Sequence, residues 1–507
     1  MSPKPIRSAV VDLGSNSVRL VVFEGLGRNP MAIFNERAVL RLGRGLQTTG
    51  RLNEEGVTAA LTVMHRYGAI ARAMGAQPLE VLATAAVRDA SNGPAFVQGL
   101  RERMPGVIIR ILSGEEEASL SAAGVVCGIP QANGILADIG GGSLEVVRLS
   151  GGHGSLAQTL PLGVIRLADR SEGDLVRARA MAEADLASVP WLGEYPGRDL
   201  YLVGGAWRAL ARIHMVQTGY PLAIVHHYTI DRDEARDLTG VIGSASRRVL
   251  EKLPGAPRRR LDDLPYAAIV LRRVLRATGA RRVVFSANGI REGWYMNRVP
   301  DAVAAQDPVL AASRELGQRD GRDPGMPSAL DRWTASLFPD ETADAARLRQ
   351  AACFLSDAGS HDHPEYRPEQ SFLRVLRQPG VALDHHGRAF LALTIAIRYE
   401  ADPTAPFLAP ARQLLDPVAA ARAEMLGHAM RLAYTLSAGT PDLLADTLLW
   451  VDGPRLVLKL AEGGGAFLGE GVTRRLDRLA GAMGLQPALE SGTLPPVTHE
   501  VDEPGFA

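Results

Sequence analysis

Cysteine is scarce in this chain: only Cys127 and Cys353 occur among 507 residues, in unrelated contexts. That scarcity excludes a disulfide-stapled secreted scaffold and a cysteine metal site, and it suits a reducing cytoplasm. An excess of charge of either sign is also absent. Lys and Arg total 56 and so do Asp and Glu, so no global field draws the molecule to nucleic acid or to an anionic membrane. No apolar run approaches the ~20 residues that span a bilayer. The opening MSPKPIRSAVVDLG lacks the apolar core and small-residue cleavage site of a secretory leader. A cytoplasmic protein with neither a membrane nor a specific nucleic-acid partner is therefore expected. What is present is the balance of a globular protein, 46% hydrophobic and 22% charged. Its length exceeds one ordinary core, which predicts two to four domains.

The strongest signal is an internal repeat. DLGSNSVRLVV, starting at Asp12, and DIGGGSLEVVR, starting at Asp138, share Asp, Gly and Ser at the same three places, with apolar runs on both sides. Each copy reads as strand, tight turn, strand. Such a turn points several backbone N–H groups at one anion, and Gly at the bend lets the backbone approach it closely. A plain hairpin turn would account for either copy alone; the duplication argues for a shared ligand. The carboxylate beside each turn would by itself repel phosphate. A hard cation such as Mg²⁺, or another divalent ion, bridging carboxylate and phosphate oxygens removes that conflict.

Around the repeat, two lobes share an order of elements. Lobe I, residues 1–128, reads as three strands, helix, strand, helix, strand, helix. Lobe II, residues 129–300, restarts at Gly134, adds a strand over 155–160 and a helix over about 174–189, and reaches a strand over 199–203 before Gly204 and Gly205. Residues 301–328 are rich in Asp, Arg, Gly and Pro and read as a linker with one short helix. Residues 329–507 show helical periodicity, with a late hairpin over 447–460 about Asp452-Gly453. The expected fold class is α/β, with two duplicated lobes followed by a mostly helical C-terminal domain.

Six stretches in order, DLGSNSVRL at 12–20, ATAAVRDASNG at 83–93, ILSGEEEASL at 111–120, DIGGGSLEV at 138–146, LVGGAWRALAR at 202–212 and GIREG at 289–293, resemble the exopolyphosphatase/guanosine pentaphosphate phosphohydrolase family. That family lies within the actin-like ATPase superfamily. The resemblance implies actin-like, ribonuclease H-like lobes and a C-terminal domain similar to the His-Asp metal phosphohydrolases. It also implies removal of terminal phosphate from inorganic polyphosphate, or of the 5′ γ-phosphate of guanosine pentaphosphate (pppGpp), with ppGpp as a further ligand.

Hydrolysing a phosphoanhydride requires an in-line water, a base to orient it and positive charge against the phosphoryl oxygens. Glu115, Glu116 and Glu117 open a helix, where they would also simply favour the helix dipole. By resemblance the characteristic pair falls on Glu116 and Glu117, and Glu117 is the preferred base. Arg88 is expected to grip the phosphoryl group to be cleaved, with Arg19 a weaker candidate. Asp138 is the first metal ligand and Asp12 the second. Phosphate would be bound by Gly14, Ser15, Asn16 and Ser17 and by Gly140, Gly141, Gly142 and Ser143. Gly204 and Gly205 correspond to the nucleotide-contacting loop of actin-like ATPases, or form only a tight strand-to-helix turn. Arg291 and Glu292 are expected to pair locally or cap.

In the C-terminal region, Ser356 stands where the His of the His-Asp pair would be, beside Asp357, so an intact metal site is not expected there. His361, His363, His385 and His386 are read as surface or polyanion-contacting residues. Arg367, Arg374 and Arg377 extend a polyanion channel or form a solvated face. Other classes are an ATP-binding actin-like chaperone or kinase and a catalytically silent polyphosphate- or alarmone-binding protein. The Arg88 loop, the acidic helix start and both Asp-Gly-Ser turns argue against them. A homodimer fits an enzyme of this size, although no apolar stripe marks an interface.

Overall fold

The computed structural model describes residues 6–379, 382–462, 464 and 468–494. The first five residues and the C-terminal 495–507, included above in lobe I and the C-terminal domain, lie outside the described residues. The chain forms two compact units, one running to Pro308 and including 379–385, the other made of 309–378 and 386–507.

In the first unit, β1 (Arg7–Leu13) and β2 (Ser17–Glu24) form the hairpin of the first turn, and β3 (Met31–Val39), β4 (Leu79–Ala83) and β5 (Ile108–Ile111) complete a sheet in the order β3-β2-β1-β4-β5. β1, β4 and β5 run parallel, while β2 and β3 are antiparallel additions. The second sheet repeats this plan with β6 (Gly134–Ile139), β7 (Leu144–Ser150), β8 (His153–Leu160), β9 (Asp199–Val203), β10 (Tyr228–Asp231) and β11 (Arg282–Phe285) in the order β8-β7-β6-β9-β11-β10. β10 is an extra antiparallel edge strand. Its apolar–polar alternation, Tyr-Thr-Ile-Asp with Tyr228 and Ile230 buried, extends over only four residues, too short to mark a strand. β6, next to the first parallel pairing, is buried at all six residues, as expected of a strand covered on both faces. Each lobe has its own apolar core, one built around Val11, Leu20, Met64 and Tyr67, the other around Leu136-flanking Ile135 and Ala137, Trp207 and Leu271.

Two helices bring the site together. The helix Gly114–Gly128 starts from a capping box, with Ser113 Oγ accepting from the Glu116 N–H and the Glu116 carboxylate accepting from the Ser113 N–H. It packs on the helix Ile290–Met296 through glycines: a β-carbon on Gly124 would stand 2.0 Å from the Gly289 carbonyl oxygen, and one on Gly293 1.9 Å from that of Leu120. Only glycine admits so close an approach. The helices Val164–Arg170 and Leu264–Thr278 add to the elements expected in lobe II.

The second unit is mostly helical, with a three-stranded sheet of β12 (Thr447–Asp452), β13 (Arg455–Leu460) and β14 (Gln486–Ser491). β12 and β13 are the expected hairpin, and β14 joins in parallel. The stretch 301–328, read as a linker, is helical over Asp301–Ala304 and Pro308–Asp320. Val309, Ala312 and Leu316 there are buried at helical spacing, a pattern masked by the surrounding Asp, Arg and Gly. At the His-Asp position, Asp357 accepts from Arg322 Nε and Nη2, both at 2.9 Å, and Arg398 Nη2 lies 3.7 Å away. Ser356 Oγ is 2.9 Å from Tyr434 OH. Guanidinium groups thus surround the carboxylate that a metal would otherwise meet. His385, expected at the surface, is buried and bonds to Tyr220 OH at 2.7 Å and to the His226 carbonyl at 3.0 Å. Arg367 and Arg374 are engaged with backbone carbonyls of their own unit, at 360, 362 and 358. Among the described residues, no helix is long and apolar enough to cross a membrane.

Candidate active site

A cavity of about 170 Å³ lies in the first unit, where both Asp-Gly-Ser turns face each other. Its walls include Asp12 and Gly14 to Ser17 from one lobe and Asp138, Gly140 to Ser143, Gly204 and Gly205 from the other. Gly14 and Gly140 each close their turn by donating to the carbonyl three residues on, Ser17 at 3.1 Å and Ser143 at 2.9 Å. The two turns are thus the same local structure. They meet because each follows the first strand of an equivalent sheet and emerges at its carboxyl end, where open α/β sheets bind ligands.

Glu117 comes to this cavity from the first turn of the Gly114–Gly128 helix and is 3% exposed. Arg88, at the end of the short helix Ala85–Asp89, donates from Nη1 to Glu117 Oε1 at 2.5 Å and to the Leu112 carbonyl at 2.7 Å. Burial pushes the Glu117 carboxyl up to about 7, against the opposing pull of Arg88. Glu116 does not reach the cavity. About 100° around the helix from Glu117, it is held by the Ser113 N–H and by Arg110 Nη2 at 2.7 Å. Its place as second candidate base is corrected accordingly: its carboxylate is committed to the cap.

Asp138 is buried and accepts from Ser121 Oγ at 2.6 Å. Burial raises its carboxyl to about 6, despite the Ser121 hydrogen bond. Asp12 is also raised by burial, with Arg291 and Arg19 opposing. Arg291, expected to pair locally, instead faces Asp12 at 3.9 Å, while Glu292 caps Gly289 N at 2.9 Å as anticipated.

Sequence reasoning missed Glu145. In the hairpin register Asp12 pairs with Arg19, and Asp138 pairs with Glu145. Carrying Arg19 across the repeat would have found it. Glu145 is buried and lines the cavity, and its Oε1 has no hydrogen-bond partner among the described residues. Burial drives its carboxyl well above the ordinary range, and the Glu117 and Asp138 charges push the same way. An all-oxygen set of mutually repelling carboxylates with one oxygen unpartnered fits a hard divalent cation. No three His, Cys, Asp or Glu side chains among the described residues close on one point. Water and substrate oxygens would therefore complete the shell, as Mg²⁺ ordinarily requires.

The lining is also cationic. Arg19, Arg37, Arg208, Arg260 and Arg291 all line the cavity. Burial and the nearby Arg291 and Arg19 lower Arg208 to about 9, and burial with Arg260 lowers Arg37 to about 10. Arg260 also stands on the second glycine turn, its Nη2 2.3 Å from where a β-carbon on Gly205 would be. Such mutual repulsion between guanidiniums is relieved by a polyanion.

Comparison with known proteins agrees with this geometry. Residues 21–302 match the Ppx/GppA phosphatase family, and residues 309–489 match a C-terminal exopolyphosphatase domain. Exopolyphosphatase 2 of Mycobacterium tuberculosis is 28% identical over 325 residues, covering 57% of this chain and 97% of that protein. Retrograde regulation protein 2 of Saccharomyces cerevisiae is 25% identical over 439 residues, covering 77% of this chain and 72% of that one. Among solved structures, an exopolyphosphatase from Cytophaga hutchinsonii shares the fold with a TM-score of 0.53 at 22% identity, over 58% of this chain and 99% of that one.

Proposed function

From its membership of the Ppx/GppA phosphatase family, to which this chain belongs, we propose that it is a Mg²⁺-dependent exopolyphosphatase releasing terminal orthophosphate from inorganic polyphosphate. The observation that carries this reading is the pairing of buried Glu117 with the partly exposed Arg88, beside two facing Asp-Gly-Ser turns. The terminal phosphoryl group lies between the turns, its oxygens accepting from the backbone N–H groups of Gly14 to Ser17 and Gly140 to Ser143. Glu117, whose raised proton affinity suits a base working near neutral pH, takes a proton from the attacking water. The water oxygen bonds to phosphorus as the bridging P–O bond breaks, and the shortened chain leaves along the arginine-lined wall. Arg88, released from Glu117, meets the charge on the equatorial oxygens. Asp138, with Asp12 or Glu145 and with water completing the shell, would hold the divalent cation, which when bound would supply positive charge against the phosphoryl oxygens.

Hydrolysis of guanosine pentaphosphate would use the same residues. The position of Arg260 over Gly205, in the loop that contacts nucleotide in actin-like ATPases, favours a linear phosphate chain over a nucleoside and also disfavours an ATP-dependent chaperone or kinase. A cytoplasmic setting accords with Cys127 and Cys353, both buried and unpaired. The test is phosphate release by purified protein with Mg²⁺ from long-chain polyphosphate and from guanosine pentaphosphate, side by side. Faster release from polyphosphate is expected. Release from guanosine pentaphosphate alone would reverse the substrate assignment, and release from neither would end the enzymatic reading.

A further inference from the structure

The short helix Val164–Arg170 of lobe II touches lobe I at two polar points. Gly45 N donates to Asp169 Oδ2 at 3.2 Å, and Arg166 Nη2 donates to Asp89 Oδ2. The first contact looks like a simple clasp; the second has a different chemistry. Asp89 is shared: its other oxygen accepts from Arg88 Nε at 3.3 Å. One carboxylate therefore joins Arg88, the guanidinium assigned to the scissile phosphoryl group, to a second guanidinium from the other lobe.

Arg166 is placed for more than a surface ion pair. Its side chain is only 14% exposed, and its buried Nε has no hydrogen-bond partner among the described residues. Its backbone N donates to the Gly141 carbonyl at 3.0 Å, and its Nη2 lies 3.9 Å from where a β-carbon on Gly142 would stand. The guanidinium thus sits beside the second phosphate turn. Neither Arg88 nor Arg166 lines the cavity itself, because each is turned to a carboxylate, Glu117 or Asp89. A half-exposed carboxylate such as Asp89 is a weaker partner for two forked guanidiniums than a phosphoryl group with three equatorial oxygens.

We infer that Arg166 is a second phosphoryl-binding guanidinium and that Asp89 is the counter-ion it gives up when substrate enters. The inference rests on the phosphatase reading of this cavity and adds the element that draws lobe II onto the substrate. Filling the cleft exchanges Asp89 for phosphate on both Arg88 and Arg166, so one residue from each lobe grips the same group.

Direct calorimetric binding of pyrophosphate in the presence of Mg²⁺ tests this without turnover, alongside KM and kcat for polyphosphate. Arg166→Ala should weaken pyrophosphate binding and raise KM about 10- to 100-fold, the range expected for a lost charge-assisted hydrogen bond. Arg166→Lys should recover part of the loss, since it keeps the charge without the fork. Asp89→Asn should have the opposite sign and tighten pyrophosphate binding several-fold. A merely structural clasp would make Arg166→Ala and Asp89→Asn weaken binding alike, in step with their melting temperatures, and that result would overturn the inference. So would unchanged binding in Arg166→Ala, or wild-type protein that binds no pyrophosphate. Wild-type protein that binds pyrophosphate through Arg166 but hydrolyses neither polyphosphate nor guanosine pentaphosphate would support this inference while defeating the exopolyphosphatase reading alone.

Discussion

The β1–β2 hairpin sets Arg19 opposite Asp12, whereas its counterpart, β6–β7, sets Glu145 opposite Asp138. The two hairpins share strand directions, turn hydrogen bonds and the Asp-Gly-Ser pattern, and differ at one cross-strand position. Cross-strand partners lie about 5 Å apart on the same face, so that single difference sets the local charge. In lobe I burial also raises the Asp12 carboxyl, but Arg291 and Arg19 oppose the rise, and Arg19 lines the cavity. In lobe II burial raises both carboxyls, the Glu117 and Asp138 charges add to the rise of Glu145, and Glu145 keeps an unpartnered oxygen. The two equivalent hairpins thus differ, at one residue pair, in setting a guanidinium or a second carboxylate opposite the Asp.

The largest effect should come from the residue between the two hairpins. Glu117→Gln is expected to lower kcat by about 10²- to 10⁴-fold, the usual worth of a general base, while polyphosphate binding measured by filter retention persists. Retained turnover would remove Glu117 from the chemistry. Next, Glu145→Arg makes the second hairpin resemble the first. It should abolish divalent-cation dependence and cut activity on the order of 10²-fold, by analogy with changes around metal ligands, with Mn²⁺ binding followed by electron paramagnetic resonance. Unchanged metal binding would break the distinction between the two sides. Arg19→Ala should act on the other side, raising KM about tenfold or more with little change in kcat; a kcat defect instead would show that Arg19 serves the transition state alone.

The smallest and most graded effect is on pH. The base must be deprotonated, and its carboxyl is raised to about 7. kcat/KM should therefore fall about tenfold per unit as pH drops below about 7 and level off above it. The sign for stability is the reverse. Between the ordinary carboxylate range and about 7 the folded state binds the extra proton, so this group's contribution weakens as pH rises through that window. An acid limb in kcat/KM centred near 4 to 5 would show that the base of the free enzyme is not the raised Glu117 carboxyl.

Much of the fold was legible because it repeats. The three-strand start, the order of elements in both lobes and the late hairpin at Asp452-Gly453 follow from turn residues and apolar spacing within short windows. Some of the elements that escaped have a weak local signal: β10, four residues long, and the helix Pro308–Asp320, hidden in polar and glycine-rich sequence; the longer Leu264–Thr278 escaped despite its amphipathic pattern. At the site, both turns, Asp12, Asp138 and Glu117 could be picked out from motif and position. Glu145 was legible only by carrying Arg19 across the repeat, and Arg166 could not be picked out, since it lies outside both Asp-Gly-Ser turns.

The sequence by itself determined that two Asp-Gly-Ser hairpins exist, that an acidic helix follows a strand in lobe I, and that few cysteines and balanced charge accompany them. Hydrogen bonds and side-chain parity within a few residues dictate such features. Tertiary structure decided which of Glu116 and Glu117 enters the cavity, that Arg291 meets Asp12, and that guanidiniums occupy the His-Asp position of the second unit. It also decided that Asp89 links Arg88 to Arg166. Those outcomes depend on burial and on charges contributed by distant segments, and a buried carboxylate takes its proton affinity from neighbours that the chain brings together only by folding.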